Sequence, residues 1–530
     1  MTRIIKWLLC ALLLTALFGK EAQANTYTAA SCSESDVASA VSKARSGDTV
    51  AIPAGTCTWT TGLAWNVPAN VIVQGAGSQS VVGGGDATTI MDEIDRTSGD
   101  TPLLHLTLSG AFRMTGITIN GSANPTANTY PTYNGSVIID GTSTALRVDH
   151  CHFYAISKVE INYQGWQYGV EDHCLHTAGW PDENQSRFGD GGWNSDSLGL
   201  GDQSWADNSY FGSSKFMFAE NNSYQATSSL ISRSHAFAFD CNNGGRFVFR
   251  YNTVGNAIAL QTHGTAGDRR GCRAEEEYGN TFVYTNSPSA SNYFPFLNDL
   301  ESGSGLFWNN TVTGFTVIER EDTIRTNNGT YPESAPPAGW GYCGTAVTGV
   351  LSPWDQNTNS AGYRCIDQVG GGKGDLTTGV FPSKVNSTTS TQSWLQQVAD
   401  PWYMWMNTLN PVPGETNYYW SNLDSATLEN RDYYLELPNI NESATFNGTA
   451  GMGYGVLSAR PSTCTVNANT GAGVGWWATD TNTLYTCGPT ANTWTAYYIP
   501  YTYPHPLAQS SSSGTPPSPA APANLAAAVH

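Results

Sequence analysis

The chain has 530 residues, 55 of them glycine, with 12% aromatic residues, only 13% charged residues and a formal net charge of −19. A surface this acidic repels nucleic acid and anionic membranes, so neither is an expected partner. The scarcity of charge, together with the abundance of Gly, Asn, Ser and Thr, excludes a coiled coil or helical bundle and points to many short strands and turns.

At the N-terminus, Arg3 and Lys6 precede an apolar run from Trp7 to Phe18, and Ala22-Gln23-Ala24 has the small-residue pattern of a cleavage site. That layout over residues 1–24 is the layout of a secretory signal peptide. The run is too short to span a bilayer. The expectation is a soluble, monomeric mature protein starting near Asn25, secreted to the periplasm or the medium. Its removal takes away three positive and one negative side chain, moving the net charge from −19 to −21. Ten of the 11 cysteines remain, an even number that permits disulfides in an oxidising compartment. The expected local pairs are Cys32–Cys57, Cys343–Cys365 and Cys464–Cys487; no Cys/His spacing suggests zinc.

Residues 33–59, "SESDVASAVSKARSGDTVAIPAGTCTW", open the mature fold. Ser33 or Ser35 can cap a short helix whose apolar stripe is Val37, Ala40, Val41 and Ala44. Gly47 ends it and a strand starts at Thr49. A short helix leading into such a strand covers the open end of a coil stack, whose first strand is otherwise an aggregation edge.

Internal repeats follow. "RVDHCHF" and "VEDHCLH" align Asp149-His150-Cys151 with Asp172-His173-Cys174 at an offset of 23 residues. Asn222, Asn252, Asn280 and Asn310 recur at offsets of 30, 28 and 30. Offsets of this size fit one coil per repeat, with stacked coils about 4.8 Å apart. The Asn ladder reads as structural, since stacked amides hydrogen-bond along the axis. The doubled DHC reads as a corner ladder of Asp and His bonded to backbone, with Cys151 and Cys174 either bridged or buried as thiols.

The Asn ladder also sets a register for "SKFMFAENN", "GRFVFRYN", "RAEEEYGN" and "GSGLFWNN". Side chains alternate across a strand. With Phe247 and Phe249 inside, Arg246, Arg250, Glu220, Glu276, Tyr278 and Trp308 face outward, in the pattern of a sugar-binding groove whose aromatic faces stack on sugars and whose guanidinium forks grip carboxylates. The same parity turns Glu275 and Glu277 inward, where lone carboxylates are strongly disfavoured. Either Arg269, Arg270 or Arg273 neutralises them, or the strand is slipped by one residue, and an ion-pair knot at a coil edge is the structural alternative. Three neighbouring apolar strands end at Asp240, His263 and Asn298-Asp299, which places these groups at the mouth of the same groove. Residues 462–490 read as a disulfide-pinned hairpin, and residues 506–530, rich in Ser, Pro and Ala, as a flexible tail.

Over residues 30–460 the chain resembles secreted bacterial right-handed parallel β-helix proteins of the pectate-lyase-like superfamily. The residues that carry the resemblance are "GGRFVFRYNTV…THG…RGCRAEEEYGNTF", "GYRCIDQ" and "YTYPHPL". "LQTHG" is similar in a looser way to the Arg-His-Gly strand of alginate lyases and chondroitinase B, with Thr262 where their arginine stands, so no residue role carries over. The three-Asp pattern of polygalacturonases is absent. The expected fold is therefore an all-β, right-handed parallel β-helix (solenoid) with a short N-terminal capping helix, the helix domain covering residues 25–505. The resemblance implies a polysaccharide substrate, and the first reading is a lyase that cleaves a uronate-containing polymer by β-elimination. His263 or an arginine is the base, Arg246, Arg250 or Arg273 neutralises the substrate carboxylate, and Tyr278 is a second acid/base. Glu220, Trp308, Arg269 and Arg270 bind substrate, and Asp240, Glu276 or Asp299 holds Ca²⁺ if a cation does the neutralising. A glycoside hydrolase using Asp240 with Glu276 or Asp299 is the second reading. A non-catalytic glycan-binding surface protein is the third.

Overall fold

The computed structural model describes residues 24–80, 85–124, 134–178, 184–188, 202–205, 207–226, 237–256, 258–264, 271–285, 296–321, 367–373, 398–422, 427–468 and 470–509. One turn of the solenoid shows how it is built. Strands Phe237–Cys241, Arg246–Arg250 and Thr253–Gly255 follow one another around the coil. Each pairs in parallel with its own counterpart in the next turn, Ile258–Thr262, Ala274–Tyr278 and Thr281–Val283. Repetition of this step makes three parallel faces. The face containing Arg246–Arg250 is called here the first, that of Thr253–Gly255 the second and that of Phe237–Cys241 the third. The long strand Val137–Asp149 runs through the third face into the first. The chain is thus a parallel β-helix, as its repeats predict.

The capping helix spans Glu34–Val41. Ser33 is the cap: its Oγ accepts from the Asp36 amide at 3.3 Å. Glu34 and Asp36 lie in the first turn, where carboxylates favour the helix dipole. Val37, Ala40 and Val41 are buried, and the helix packs on strands Thr26–Thr28 and Leu63–Val67. The sequence reading missed the strand Thr26–Thr28, which pairs with Thr49–Ala51 and is the true start of the first face.

Inside the coil, Phe239, Phe247, Phe249, Phe282 and Phe307 form a continuous core. Gly305 is there because a Cβ would lie 2.5 Å from the Trp402 ring. The Asn ladder forms as expected and is longer than the repeats suggested. Asn222, Asn252, Asn280, Asn310 and Asn407 each offer Oδ1 to the backbone amide at the same position one coil earlier, at 2.7–3.0 Å. Their Nδ2 groups donate to backbone carbonyls of the preceding coil at 2.9–3.1 Å. Cys174 and Cys151 continue the column, the Cys151 amide meeting Cys174 Sγ at 3.4 Å. Both are buried thiols, not a disulfide. Asn280→Ala removes the acceptor of the buried Asn252 amide and is expected to lower stability by about 2–3 kcal/mol in chemical denaturation.

Cys32–Cys57 and Cys464–Cys487 are bridged as expected. Cys343 and Cys365 lie outside the described residues. A bridge not foreseen, Cys241–Cys272, ties the end of a third-face strand to the residues just before Ala274–Tyr278, the first-face strand of the following turn. The expected hairpin is present within a four-stranded sheet of Met452–Gly455, Gly475–Ala478, Thr483–Cys487 and Trp494–Tyr498. Residues 506–509, assigned to the tail on sequence, form a helical turn on the body of the protein. No helix of the described residues is long and apolar enough to cross a membrane.

Candidate functional site

The register drawn from the Asn ladder is the register of the structure. Glu220, Arg250, Tyr278 and Trp308 stack in consecutive coils of the first face. The strip does face away from the coil interior, but it is not an open groove. Residues 207–216 and the described residues between Phe446 and Leu507 fold back over it, burying Tyr278 and Trp308 with Phe218, Trp477 and Tyr498. The correction follows from composition: an aromatic strip that could bind sugar serves as well to dock a hydrophobic part of the same chain.

Each charged member of the strip is occupied by that cover. Arg250 donates to Glu220 Oε2, to Tyr278 Oη and to the carbonyls of Tyr501 and Thr502 at 2.8–2.9 Å. Glu220 also accepts from the His505 amide at 2.8 Å. Arg246 is buried among Ser204, Asn208 and Ser209. Arg273 contacts Ser304 Oγ at 3.0 Å and Asp400 at 3.3 Å, and lies over the Trp205 ring. Glu276 accepts from the Gly212 amide and the Tyr498 hydroxyl at 2.7 Å. Burial raises its carboxyl to about 7. The Tyr278 ring stacks on Trp308 at 4.6 Å, and burial pushes its hydroxyl above the usual range. These side chains build an interface. Arg269 and Arg270 lie outside the described residues.

Glu275 and Glu277 point inward as parity requires, paired in register with Phe247 and Phe249. Arg273 does not reach them, and the strand is not slipped. Their neighbours are instead Glu319 and Asn298, whose Nδ2 donates to Glu277 at 3.3 Å and to Glu319 at 3.0 Å. Burial and mutual repulsion raise Glu275 well above the ordinary range, and burial raises Glu277 to about 8. The three acids share the coil interior, where burial favours the neutral form of each.

The third face keeps an accessible polar group. Its outer column runs Asp240, Gln261, Asp299, Arg320 in consecutive coils. His263 Nδ1 meets Asp240 Oδ1 at 2.6 Å, with the carboxylate buried and the imidazole 29% exposed. Arg320 binds Asp299 Oδ1 through Nε and Nη2 at 3.1 and 2.8 Å and covers the Phe296 ring at 3.7 Å. Glu301 accepts from the Gly264 amide at 2.8 Å beside them. Arg320 was not singled out on sequence; only its place in the third-face register would have revealed it. Asp240 and Asp299 share this face while Glu276 lies on the first, so the three carboxylates expected to hold Ca²⁺ are not one cluster. Among the described residues no three or more His, Cys, Asp or Glu side chains are arranged to hold a metal ion.

A second accessible group sits where the first face turns into the second. Asp149 and Asp172 bond to side chains, not to backbone as the sequence suggested. Arg113 grips Asp149 through two contacts of 2.6 Å, and Arg147 grips Asp172 at 2.8 and 2.9 Å. Although burial opposes it, these partners hold Asp149 well below the ordinary carboxylate range. Each aspartate also takes Nδ1 of the histidine that follows it, at 2.8 Å for both His150 and His173. The two imidazoles are half exposed and stacked, 5.2 Å apart and 4° from parallel.

Fold and site define a parallel β-helix protein that carries, among the described residues, solvent-accessible Asp–His groups that include His263–Asp240 and His105–Asp140 on the third face and the stacked pair at a corner. No protein-family model matches the chain, and no curated protein matches it. Among solved structures, the crystal structure of an alginate lyase from Paenibacillus sp. str. FPU-7 is similar at 12% identity and a TM-score of 0.31, over 75% of this chain and 98% of that one. The chemistry assigned to the site therefore rests on its own residues.

Proposed function

We propose that the protein is an exported enzyme that cleaves a uronate-containing polysaccharide by β-elimination on the third face. The observation that carries this reading is the His263–Asp240 pair: a buried carboxylate holds Nδ1 of a partly exposed imidazole, and Nε2 is the nitrogen assigned the role of proton acceptor. In the step proposed, the C5 proton moves to Nε2, the C4–C5 double bond forms as the C4–O bond breaks, and the leaving oxygen takes a proton from the imidazolium or water. Arg320, one-quarter exposed and in register with Asp299 on the same column, is assigned to neutralise a substrate carboxylate. Arg246, Arg250 and Arg273, buried elsewhere, leave this role. The hydrolase reading is the weaker one, because Asp240 is committed to His263 and Asp299 to Arg320.

The test is ultraviolet absorbance of unsaturated ends on polygalacturonate, alginate and glycosaminoglycans, with and without Ca²⁺ and chelator. His263→Ala is expected to lower the rate at least about 100-fold, and Arg320→Ala to raise KM for the polymer. Unsaturated product from His263→Ala at the wild-type rate would overturn the assignment, as would reducing ends formed without absorbance. A rate that depends on added Ca²⁺ would move carboxylate neutralisation from Arg320 to the ion.

A further inference from the structure

The turn from first to second face holds the same left-handed backbone conformation in successive coils from Gly116 onward among the described residues. At this position φ is +69° at Gly116, +51° at His150, +55° at His173, +58° at Asn221, +57° at Tyr251 and +69° at Gly279. The left-handed region suits glycine and, at small cost, asparagine; histidine and tyrosine are strained there by about 1 kcal/mol each. Glycine serves at Gly116 and Gly279 and asparagine at Asn221 and, one coil beyond Gly279, at Asn309 (φ +54°), so turning the chain does not require larger residues. Packing explains a similar outlier further on, Met406, which lies against the buried cluster under the C-terminal sheet. Tyr251 likewise packs, on Tyr278 and Tyr503. Packing does not explain His150 or His173, both of them exposed.

These side chains lie in register along the coil axis. His150 and His173 are the stacked, Asp-anchored pair. Asn221 accepts the Tyr503 hydroxyl at 2.7 Å. Tyr251 lies against Tyr503 with ring centres 3.9 Å apart. Gly279 makes room for it: a Cβ there would be 2.6 Å from the Tyr251 ring. The row ends in two exposed aromatic rings and begins in two imidazoles. Its charge is unlike that of the protein as a whole, since Asp149 and Asp172 are matched by Arg113 and Arg147 before either histidine is counted.

We infer that this corner binds an extended anionic polysaccharide lying along the coil axis, the His150–His173 pair meeting its carboxylates and the Tyr251–Tyr503 pair stacking on a sugar face. Consecutive contacts about 4.8 Å apart match a chain of repeating units better than a compact ligand. Aromatic faces supply apolar area for sugar CH groups at little entropic loss. The inference does not depend on the role of His263, which lies at a different corner.

Affinity electrophoresis of the full chain tests it, with polygalacturonate or alginate in the gel and dextran as the neutral control. Retardation by an anionic polymer and none by dextran is expected. The variant His150→Gly/His173→Asn places at each position a residue suited to its backbone, so its melting temperature should equal or exceed that of the wild type while affinity falls at least tenfold. Tyr503→Ala, which alters no corner backbone, should weaken binding in the same gels. His263→Ala should bind as the wild type, whether or not it loses activity. Wild-type affinity in both corner variants, no retardation by either anionic polymer, or equal retardation by dextran would overturn the inference.

Discussion

Arg250→Met is expected to lower the unfolding free energy by about 3–5 kcal/mol, the range for removing one partner of a buried ion pair. The guanidinium is wholly buried and joins Glu220, Tyr278 and the carbonyls of Tyr501 and Thr502. Methionine fills much of the volume and meets none of these groups. Glu220 is then left in a site where burial already raises its carboxyl despite Arg250. The companion Glu220→Gln/Arg250→Met removes the stranded charge and should recover part of the loss, giving a clear non-additivity in a double-mutant cycle. Urea denaturation followed by tryptophan fluorescence reads both, because Trp308 and Trp477 lie under the same cover. A loss below about 1 kcal/mol in the single variant would mean that the C-terminal segment is not anchored as described.

Stability should also fall as the solution becomes more alkaline, from pH 6.5 to 8, and Glu277→Gln should flatten that fall. Glu277 is raised from 4.5 to about 8, and Glu275 and Glu319 stand well above their ordinary range. A carboxyl with a raised folded pKa keeps its proton when the unfolded chain has lost it. Its favourable contribution is full below pH 4.5 and is lost as pH rises through the folded value. Each retained proton lowers stability by about 1.4 kcal/mol per pH unit, so Glu277 alone accounts for about 2 kcal/mol over this window. His505, pushed down to about 4 by burial and Arg250, has the opposite sign, but only below 6.5. Above that pH the acids dominate. Glu276 and Glu436, both raised to about 7, add to the slope in the wild type and remain in the variant. Identical pH profiles for wild type and Glu277→Gln would show that the core carboxyl is not protonated.

The three-face coil was legible in the sequence because its signals are local and repeated. The Asn ladder sets register, and alternation then places Phe247, Phe249, Glu275 and Glu277 inside without further information. Ser33 and Gly47 mark the cap helix for the same reason. What was not legible is contact between distant segments. Outward parity distinguishes the two sides of a strand, but it does not tell solvent from a second layer of protein. The expected groove of Arg250, Glu276, Tyr278 and Trp308 therefore became an interface once residues 446–507 returned to cover it. The Cys241–Cys272 bridge was missed because sequence separation favoured other pairs, whereas spatial adjacency depends on which strand end meets which strand start. Of the expected catalytic residues, His263 and Asp240 are the pair that lies together at an accessible surface. The strained histidines of the DHC repeats carried a signal that only backbone angles expose.

The returning C-terminal segment bears on how the chain is made. The Leu507 carbonyl closes on Arg147 across 360 positions, and that of Tyr501 on Arg250 across 251. A solenoid otherwise assembles from neighbouring turns, each completed soon after it emerges from the ribosome. Here the aromatic side of the middle turns stays unfinished until residues 498–507 have been synthesised. During that interval the nascent protein presents a sticky ridge, and premature termination before residue 498 would leave that ridge open for good. Holding factors that shield this ridge during synthesis, and not the intrinsic speed of coil winding, should therefore govern the yield of native molecules.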